Sequence, residues 1–125
     1  MKEKKDFYQV IEEICAGDDR YKPDSYEFVM QALNFTQTKL KKQGHLSGQE
    51  LLEGIRQFAI EQYGPMAKTV LNHWGINKTE DFGNIVFNMV KQKLLSKTEN
   101  DSADDFKDIY DFDVVFSNVL GDSII

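Results

Sequence analysis

The segment that most limits how this chain can fold is SGQELLEGIRQFAIEQYGP, residues 47–65. Ser47 followed three residues later by Glu50 is a capping box, in which each side chain binds the other residue's backbone N–H at the start of a helix. The apolar residues that follow recur every three or four positions, which is the spacing of one helix face. Gly64 and Pro65 then end this helix and begin the next. The segment therefore predicts a core-facing helix with defined ends.

The same spacing predicts further helices before and after this one. Pro23 suits the first turn of the second helix, and Thr79 can cap the fifth. Gly54 lies inside the 47–62 helix, where it costs about 1 kcal/mol relative to alanine, so we expect a neighbouring backbone close to it. The other helices are predicted at about 6–16, 23–43, 65–74, 79–94 and 113–120.

The C-terminal part of the chain has two interpretations. LLSKT (94–98) and FKDIYDF (106–112) are rich in residues that favour strands, so we predict a β-hairpin around the polar loop ENDSADD. The alternative is that Ser102 and Asp105 cap a short helix that carries Phe106, Ile109 and Tyr110.

We therefore predict a mainly α fold of about five to six helices with a small C-terminal β-hairpin. Residues 48–112 follow the order of a winged helix-turn-helix, three helices and then a hairpin. We expect a single domain over residues 1–125. Within it, residues 6–44 form a helical pair, and residues 47–120 form a tri-helical unit with the acidic hairpin and a terminal helix.

Composition agrees with one small domain. The chain has 125 residues, of which 41% are hydrophobic and 29% charged, enough to bury a modest core. Its single cysteine, Cys15, excludes an internal disulfide. No apolar run is long enough for a membrane span, and the start MKEKKDFYQ lacks the apolar stretch of a signal peptide. We therefore expect a cytoplasmic protein that has no membrane partner.

The distribution of charge argues against a nucleic-acid partner. The chain carries a net charge of −6, and residues 99–113 alone contain seven acids and one lysine. The second helix of a helix-turn-helix at 65–94 opens with Glu80 and Asp81, at the positions that face DNA bases. Because phosphate contacts supply most non-specific affinity, acids at these positions and in the wing oppose duplex binding.

A basic cluster lies just before the capped start of the 47–62 helix. Its cations and the N–H groups beyond them could bind a phosphate or a carboxylate. The alternative is a solvated helix end whose lysines complement the macrodipole of the preceding helix. The residues of this candidate anion site are Lys41, Lys42, His45, Ser47 and Gly48.

No motif for a metal, a cofactor or catalysis has the required spacing. His45, His73 and Cys15 form no ligand pair at helical spacing, and no glycine-rich phosphate loop occurs. The acidic segment departs from a calcium loop, because Ala103 stands at the third ligand position and Asp104 where glycine is required. We therefore predict no catalytic, cofactor-binding or metal-binding residues.

These features favour a non-enzymatic protein-protein interaction or regulatory module. Aromatic side chains beside acids suit a basic protein partner or a second copy of the chain. Two alternatives are a winged helix-turn-helix protein that binds nucleic acid through a basic face, and a small enzyme that uses His45 or His73. The residues of the candidate partner surface are Trp74, Glu80, Asp81 and Phe82.

Five blocks in order carry a resemblance that covers nearly the whole chain: SGQELLEGIR, YGPMA, WGI, DFGNIVF and LLSKTE. In these blocks the chain resembles the planctomycete and verrucomicrobial conserved hypothetical family, small bacterial proteins of about this length. That family has no assigned activity, cofactor or catalytic residues. The resemblance therefore implies a cytosolic bacterial protein and adds no site residue.

Overall fold

The computed structural model describes residues 6–96 and 102–117, and this part of the chain is mainly helical. The prediction from apolar spacing is confirmed at this level. The α-helices are α1 (Phe7–Gly17), α2 (Pro23–Leu40), α3 (Gly48–Tyr63), α4 (Ala67–His73), α5 (Thr79–Lys91) and α6 (Phe112–Ser117), and two 3-10 helices span Gly64–Met66 and Ala103–Phe106.

The predicted start of α3 is present in atomic detail. The Ser47 hydroxyl accepts a hydrogen bond from the backbone N–H of Glu50 at 3.0 Å, and the Glu50 carboxylate accepts from the N–H of Ser47 at 2.8 Å. The predicted cap of α5 is wrong, because Lys78 is the N-cap residue and Thr79 is already helical. The Thr79 side chain instead forms hydrogen bonds with the backbone of Phe106 and Ile109.

Two helices end earlier than predicted, and in both cases a lysine takes the left-handed position that follows the helix. α2 ends at Leu40, and Lys41 has a φ of 54°. α5 ends at Lys91, and Lys93 has a φ of 64°. The prediction placed these ends near residues 43 and 94, because it relied on the following glycine or on the apolar run.

The core lies between α2, α3 and α5. α2 packs along α3 where α3 has no side chain: a Cβ added at Gly54 would lie 1.7 Å from Thr36 Oγ1. α2 is therefore the close neighbour at Gly54, but the atoms that approach belong to the Thr36 side chain and not, as predicted, to a backbone. The largest fully buried side chains include Tyr26, Leu52, Ile55, Phe82, Ile85 and Met89.

An aromatic cluster joins the end of α4 to this core. The Trp74 ring lies 5.5 Å from the ring of Phe28 on α2 and 5.9 Å from that of Tyr63 at the end of α3. The backbone oxygen of Trp74 accepts a hydrogen bond from the N–H of Lys22 at 3.0 Å. The turn between α4 and α5 is thereby held against the loop between α1 and α2.

The predicted β-hairpin does not occur in the described residues. Residues 94–96 form no strand, and residues 106–112 run from a 3-10 helix into α6. The alternative interpretation holds in part: the Asp105 carboxylate accepts from the backbone N–H of Ser102 at 3.0 Å and starts a helical turn. That turn ends at Phe106, so Ile109 and Tyr110 lie beyond it. Residues 97 and 98 of the first predicted strand lie outside the described residues.

The physical reason is that α5 binds the backbone groups a second strand would have bound. The Thr79 hydroxyl donates to the carbonyl oxygen of Phe106 at 2.5 Å and accepts from the N–H of Ile109 at 3.2 Å. The Phe106 side chain is buried in the core. Strand propensity is weaker than these contacts, because it depends on a partner strand being present.

The winged-helix prediction is unsupported as well, because the hairpin that would form the wing is absent from the described residues. α3, α4 and α5 follow one another in the expected order, but residues 6–96 and 102–117 contain no strand to follow them. The predicted last helix is present as α6, and its predicted end at 118–120 lies outside the described residues. Buried side chains from α1 to α6 contribute to one apolar cluster.

Candidate functional site

A pocket of about 260 Å³ opens between the C-terminal halves of α2 and α5. We call it the α2–α5 pocket. Its remaining walls are the 43–48 loop, residues 95 and 96, and the 3-10 helix Ala103–Phe106. Its apolar lining includes Leu33, Leu51, Val86, Phe87, Val90 and Phe106.

Two other surface pockets are comparable in volume but differ in chemistry. A pocket of about 320 Å³ between α2 and α3 has Leu40 as its one large apolar side chain. Its other apolar surface comes from the carbon atoms of polar and charged residues. A pocket of about 290 Å³ beside α6 is lined by Lys68, Lys78 and three aspartates, together with Tyr110 and Phe112. Ligand sites are concave and mostly apolar with a few polar groups, so the α2–α5 pocket is the best candidate.

Polar side chains stand at the rim of the α2–α5 pocket. Gln37 donates its amide N–H to the carbonyl oxygen of Gly44 at 3.0 Å, which leaves its amide oxygen as an acceptor. His45 and Asp105 also line the pocket. The Asp105 carboxylate already binds the N–H of Ser102, so its first role is to start the 3-10 helix.

The floor of the pocket depends on Gly48, the first residue of α3. A Cβ added there would lie 2.9 Å from Asp105 Cβ and 3.4 Å from the ring of Phe106. The missing side chain therefore lets the 3-10 helix pack against the start of α3. Phe106, which is almost fully buried, lines the pocket from this position.

Lys41 and Lys93, which follow α2 and α5, have left-handed backbone conformations that are unfavourable for lysine. A left-handed conformation costs a non-glycine residue about 1–2 kcal/mol. A cation gains only about 0.3–1 kcal/mol from a helix C-terminus, and Lys39 and Lys91 already supply one in the last turns of α2 and α5. The macrodipole alone therefore does not account for Lys41 and Lys93.

The five residues of the predicted anion site lie together, but the chain supplies the anion itself. The Lys42 ammonium binds the Glu50 carboxylate at 2.9 Å, and that carboxylate also accepts from the N–H of Ser47. The Ser47 hydrogen bond and the Lys42 contact both lower the pKa of Glu50. Lys41 is the left-handed residue after α2, and His45, Ser47 and Gly48 line the α2–α5 pocket. An external anion would have to displace Glu50.

The predicted partner surface is corrected by burial. Phe82 is fully buried, and Trp74 and Asp81 are each only 8% exposed. Glu80 is partly exposed. Aromatic residues next to acids in the sequence thus belong to the core and to a helix start, and they do not form an exposed surface.

Asp81 has a structural role that explains why α5 begins with acids. Its carboxylate accepts hydrogen bonds from the backbone N–H of Asn77 at 2.8 Å and of Lys78 at 3.2 Å. It also accepts from the Tyr21 hydroxyl at 2.6 Å, and Asn84 donates to that hydroxyl at 2.8 Å. Burial, followed by the Asp81 hydrogen bond, raises the pKa of Tyr21 to about 12. Asp81 therefore does not face a DNA groove.

A second polar cluster ties the α1–α2 loop to α5. The Asp18 carboxylate binds the Arg20 guanidinium at 2.7 Å and accepts from the Asn88 amide at 3.0 Å. Asn88 also donates to the Tyr26 hydroxyl at 3.0 Å. Sequence reasoning missed both clusters, since the contacts that join one element to another link residues sixty or more positions apart.

Two classes of site receive no support from the described residues. These residues contain no group of three or more histidine, cysteine or acidic side chains placed to hold a metal ion. Among the same residues, no helix combines the length and the apolar character that crossing a bilayer requires.

Comparison with known protein families, curated proteins and solved structures identifies no relative of this chain. No protein family model, no curated protein and no solved structure matches this chain. Membership in the family that the sequence resembles therefore stays a prediction, and the geometry of the α2–α5 pocket carries the functional argument.

Proposed function

We propose that this protein is a non-enzymatic interaction module that takes apolar side chains of a partner protein into the α2–α5 pocket. The observation that supports the proposal is a pocket lined by apolar side chains that the described residues leave only partly covered. Val86, Phe87 and Val90 are each partly exposed there, although they belong to the apolar face of α5.

The size of the pocket favours side chains over a whole ligand. Sites for drug-sized molecules usually enclose about 300–1,000 Å³, and this pocket holds about 260 Å³. Interfaces, in contrast, concentrate their binding energy in a few buried anchors that fill small pockets. A partner that inserts a few apolar side chains and contacts the polar rim fits these dimensions.

Binding is favoured over catalysis by what the polar rim residues already do. The Ser47 hydroxyl accepts the N–H of Glu50, and the Asp105 carboxylate accepts the N–H of Ser102. His45 lies on the exposed rim. A general base works from a position set against a nucleophile or a substrate proton, whereas the Ser47 and Asp105 side chains of this pocket serve as helix caps.

Selection from a library of random displayed peptides tests the proposal. We expect the protein to enrich peptides that share an apolar motif, and the selected peptides to lose most of their affinity for a Val90→Gln variant. The matched control is Val114→Gln, which makes the same change on α6 at a side chain that is 64% exposed. Affinities are measured by fluorescence polarisation after circular dichroism shows that both variants are folded.

Equal binding of the selected peptides to the Val90→Gln and Val114→Gln variants would contradict the proposal, because binding would then not depend on the pocket. Failure to enrich any shared apolar motif would contradict it as well. The prediction that nucleic acid is not a partner can be checked with the same protein, since any affinity for random duplex DNA would fall steeply with added salt.

A further inference from the structure

Asp105 gives the α2–α5 pocket a negative charge. Among the described residues that line this pocket, Asp105 is the one acidic side chain, and no lysine or arginine lines it. His45 is the other titratable residue of this lining and is exposed. With His45 counted as neutral, the lining carries a single negative charge next to its apolar side chains.

The Asp105 carboxylate can accept more hydrogen bonds than the described part of the chain gives it. Its Oδ2 atom accepts from the backbone N–H of Ser102 at 3.0 Å. No further hydrogen bond and no ion pair within residues 6–96 and 102–117 involves this carboxylate. Because an ionised carboxylate has about four acceptor sites, Asp105 can start the 3-10 helix and still bind a donor from a partner.

Glu50, the acid in the first turn of α3, differs in this respect. Its carboxylate already binds the Lys42 ammonium at 2.9 Å and the N–H of Ser47 at 2.8 Å. Asp105 is half-buried and packs against the start of α3, since a Cβ added at Gly48 would lie 2.9 Å from its own Cβ. The fold therefore holds a carboxylate without a cation beside an apolar pocket.

Gln37 supplies a second acceptor in the same lining. Its amide N–H is used by the carbonyl oxygen of Gly44 at 3.0 Å, so its amide oxygen can accept from a partner. Lysine and arginine side chains are donors that have no acceptor atom. A basic side chain therefore suits both polar groups, whereas an acidic one would meet acceptors and a like charge.

We propose that the partner is a protein segment that is apolar and basic. Its apolar side chains enter the α2–α5 pocket, and a lysine or arginine next to them binds the Asp105 carboxylate. This inference rests on the proposed function and names the chemistry of the partner. The net charge of −6 on the chain acts in the same direction, because it attracts a basic partner over a longer range.

The test is peptide selection on the wild-type chain, on Asp105→Asn and on Asp104→Asn. Asparagine removes the charge of Asp105 and keeps an oxygen that can accept the N–H of Ser102. Asp104→Asn is the matched control, since it makes the same change at an exposed neighbour that does not line the pocket. We expect one apolar motif from all three proteins, with an adjacent lysine or arginine enriched on the wild type and Asp104→Asn only.

A synthetic peptide from the selected set then gives the magnitude. Replacing its lysine or arginine with glutamine should weaken binding to the wild type and to Asp104→Asn about threefold, as expected for one partly exposed ion pair. The same replacement should leave binding to Asp105→Asn unchanged. Added salt should remove most of the difference on the wild type, because screening acts on exposed charges.

The outcomes separate this inference from the proposed function. If the selected peptides carry neutral or acidic flanks, or if basic flanks are enriched equally on Asp105→Asn, the basic partner is wrong. The interaction module still stands in that case, provided that Val90→Gln weakens binding. If no peptide binds in a way that Val90→Gln weakens, the proposed function fails and this inference fails with it.

A second copy of the chain is the other occupant that the experiment must distinguish. Analytical ultracentrifugation of the wild type and of Val90→Gln measures self-association directly. We expect both to be monomeric. A wild-type dimer that Val90→Gln dissociates would place a second copy in the pocket and would overturn the basic partner.

Discussion

At the scale of single residues, Gly54 shows how one missing side chain sets the distance between two helices. Thr36 occupies the space where a Cβ would stand, and its hydroxyl donates to the carbonyl oxygen of Ala32 at 2.7 Å. Helix propensity alone would favour alanine at Gly54. Packing opposes that preference, because the energy cost of overpacking the α2–α3 contact exceeds the gain in helix propensity.

We predict that Gly54→Ala destabilises the protein by about 1–3 kcal/mol in spite of better helix propensity, because overpacking forces α2 away from α3. Urea denaturation measures the free energy of unfolding. The control is Gly17→Ala at the end of α1, where nothing lies within 4 Å of an added Cβ. A Gly54→Ala variant as stable as Gly17→Ala would show that the two helices are not in close contact.

Asp18 gives a prediction about pH. Hydrogen bonds from Arg20, and then from Asn88, hold the pKa of the Asp18 carboxyl well below its usual range. The ionised form is therefore favoured in the folded state. The resulting stability is fully present above the unfolded pKa of about 3.9 and is lost as the pH falls through that value toward the folded pKa.

We expect Asp18→Asn to lower the free energy of unfolding by about 1 kcal/mol near pH 7, a modest value because the Arg20 partner is largely exposed. The difference from the wild type should shrink steadily between about pH 5 and pH 3. Urea denaturation across this range measures it. Asp19→Asn, at an exposed neighbour, is the control. A difference that stays constant down to pH 3 would refute the assignment.

At the scale of elements, the 3-10 helix Ala103–Phe106 and the turn after it are held to α5 by Thr79. The contact replaces the hairpin that strand propensity predicts. Since Phe106 also lines the α2–α5 pocket, the same threonine helps to hold one residue of the candidate site in place.

We predict that Thr79→Val, which keeps the shape and removes the hydroxyl, costs about 1–3 kcal/mol because it leaves the Phe106 oxygen and the Ile109 N–H without their partner. Hydrogen exchange at the Ile109 amide should quicken in the variant. Thr69→Val on the exposed face of α4 is the matched control and should change neither quantity. Unaltered protection of the Ile109 amide in Thr79→Val would argue that α5 does not hold this turn.

At the scale of the whole molecule, the open question is whether the predicted single domain unfolds as one unit. Side chains from all six α-helices contribute to one apolar cluster. Trp74 is the single tryptophan of the chain and is almost buried against Phe28 and Tyr63. Its fluorescence therefore reports on the packing of α2, α3 and α4.

We predict that urea unfolding followed by Trp74 fluorescence and by far-ultraviolet circular dichroism gives the same midpoint, as a single cooperative domain requires. Fluorescence reports on the aromatic cluster, whereas circular dichroism reports on all helices together. Two separate midpoints would mean that the 6–44 pair and the later helices unfold independently.

Signals that act within a few residues made much of the fold predictable. The Ser47 and Glu50 cap, the apolar spacing and the Gly64-Pro65 break place α3 and the start of α4 close to their observed bounds. Each of these signals joins groups three or four residues apart, within one turn of helix. They need no knowledge of what the helix packs against.

The sites were predicted less well, because they depend on pairs of residues that are distant in the sequence. Asp81 looked like a surface acid at a helix start, and only the folded chain brings the Tyr21 hydroxyl to 2.6 Å from it. Trp74 and Phe82 looked like surface aromatics and are core residues. Lys42 looked available for an anion and binds Glu50.

By itself, then, the sequence determined that the chain forms helices, approximately where they start and stop, and which side chains are apolar enough to be buried. Tertiary structure alone decided that residues 106–112 join α5 through Thr79 and do not pair as a strand. It also decided that apolar side chains of α2 and α5 line a pocket between the C-terminal halves of these helices. The physical reason is that the spacing of apolar residues shows which face of a helix is apolar, whereas only tertiary packing determines what covers that face.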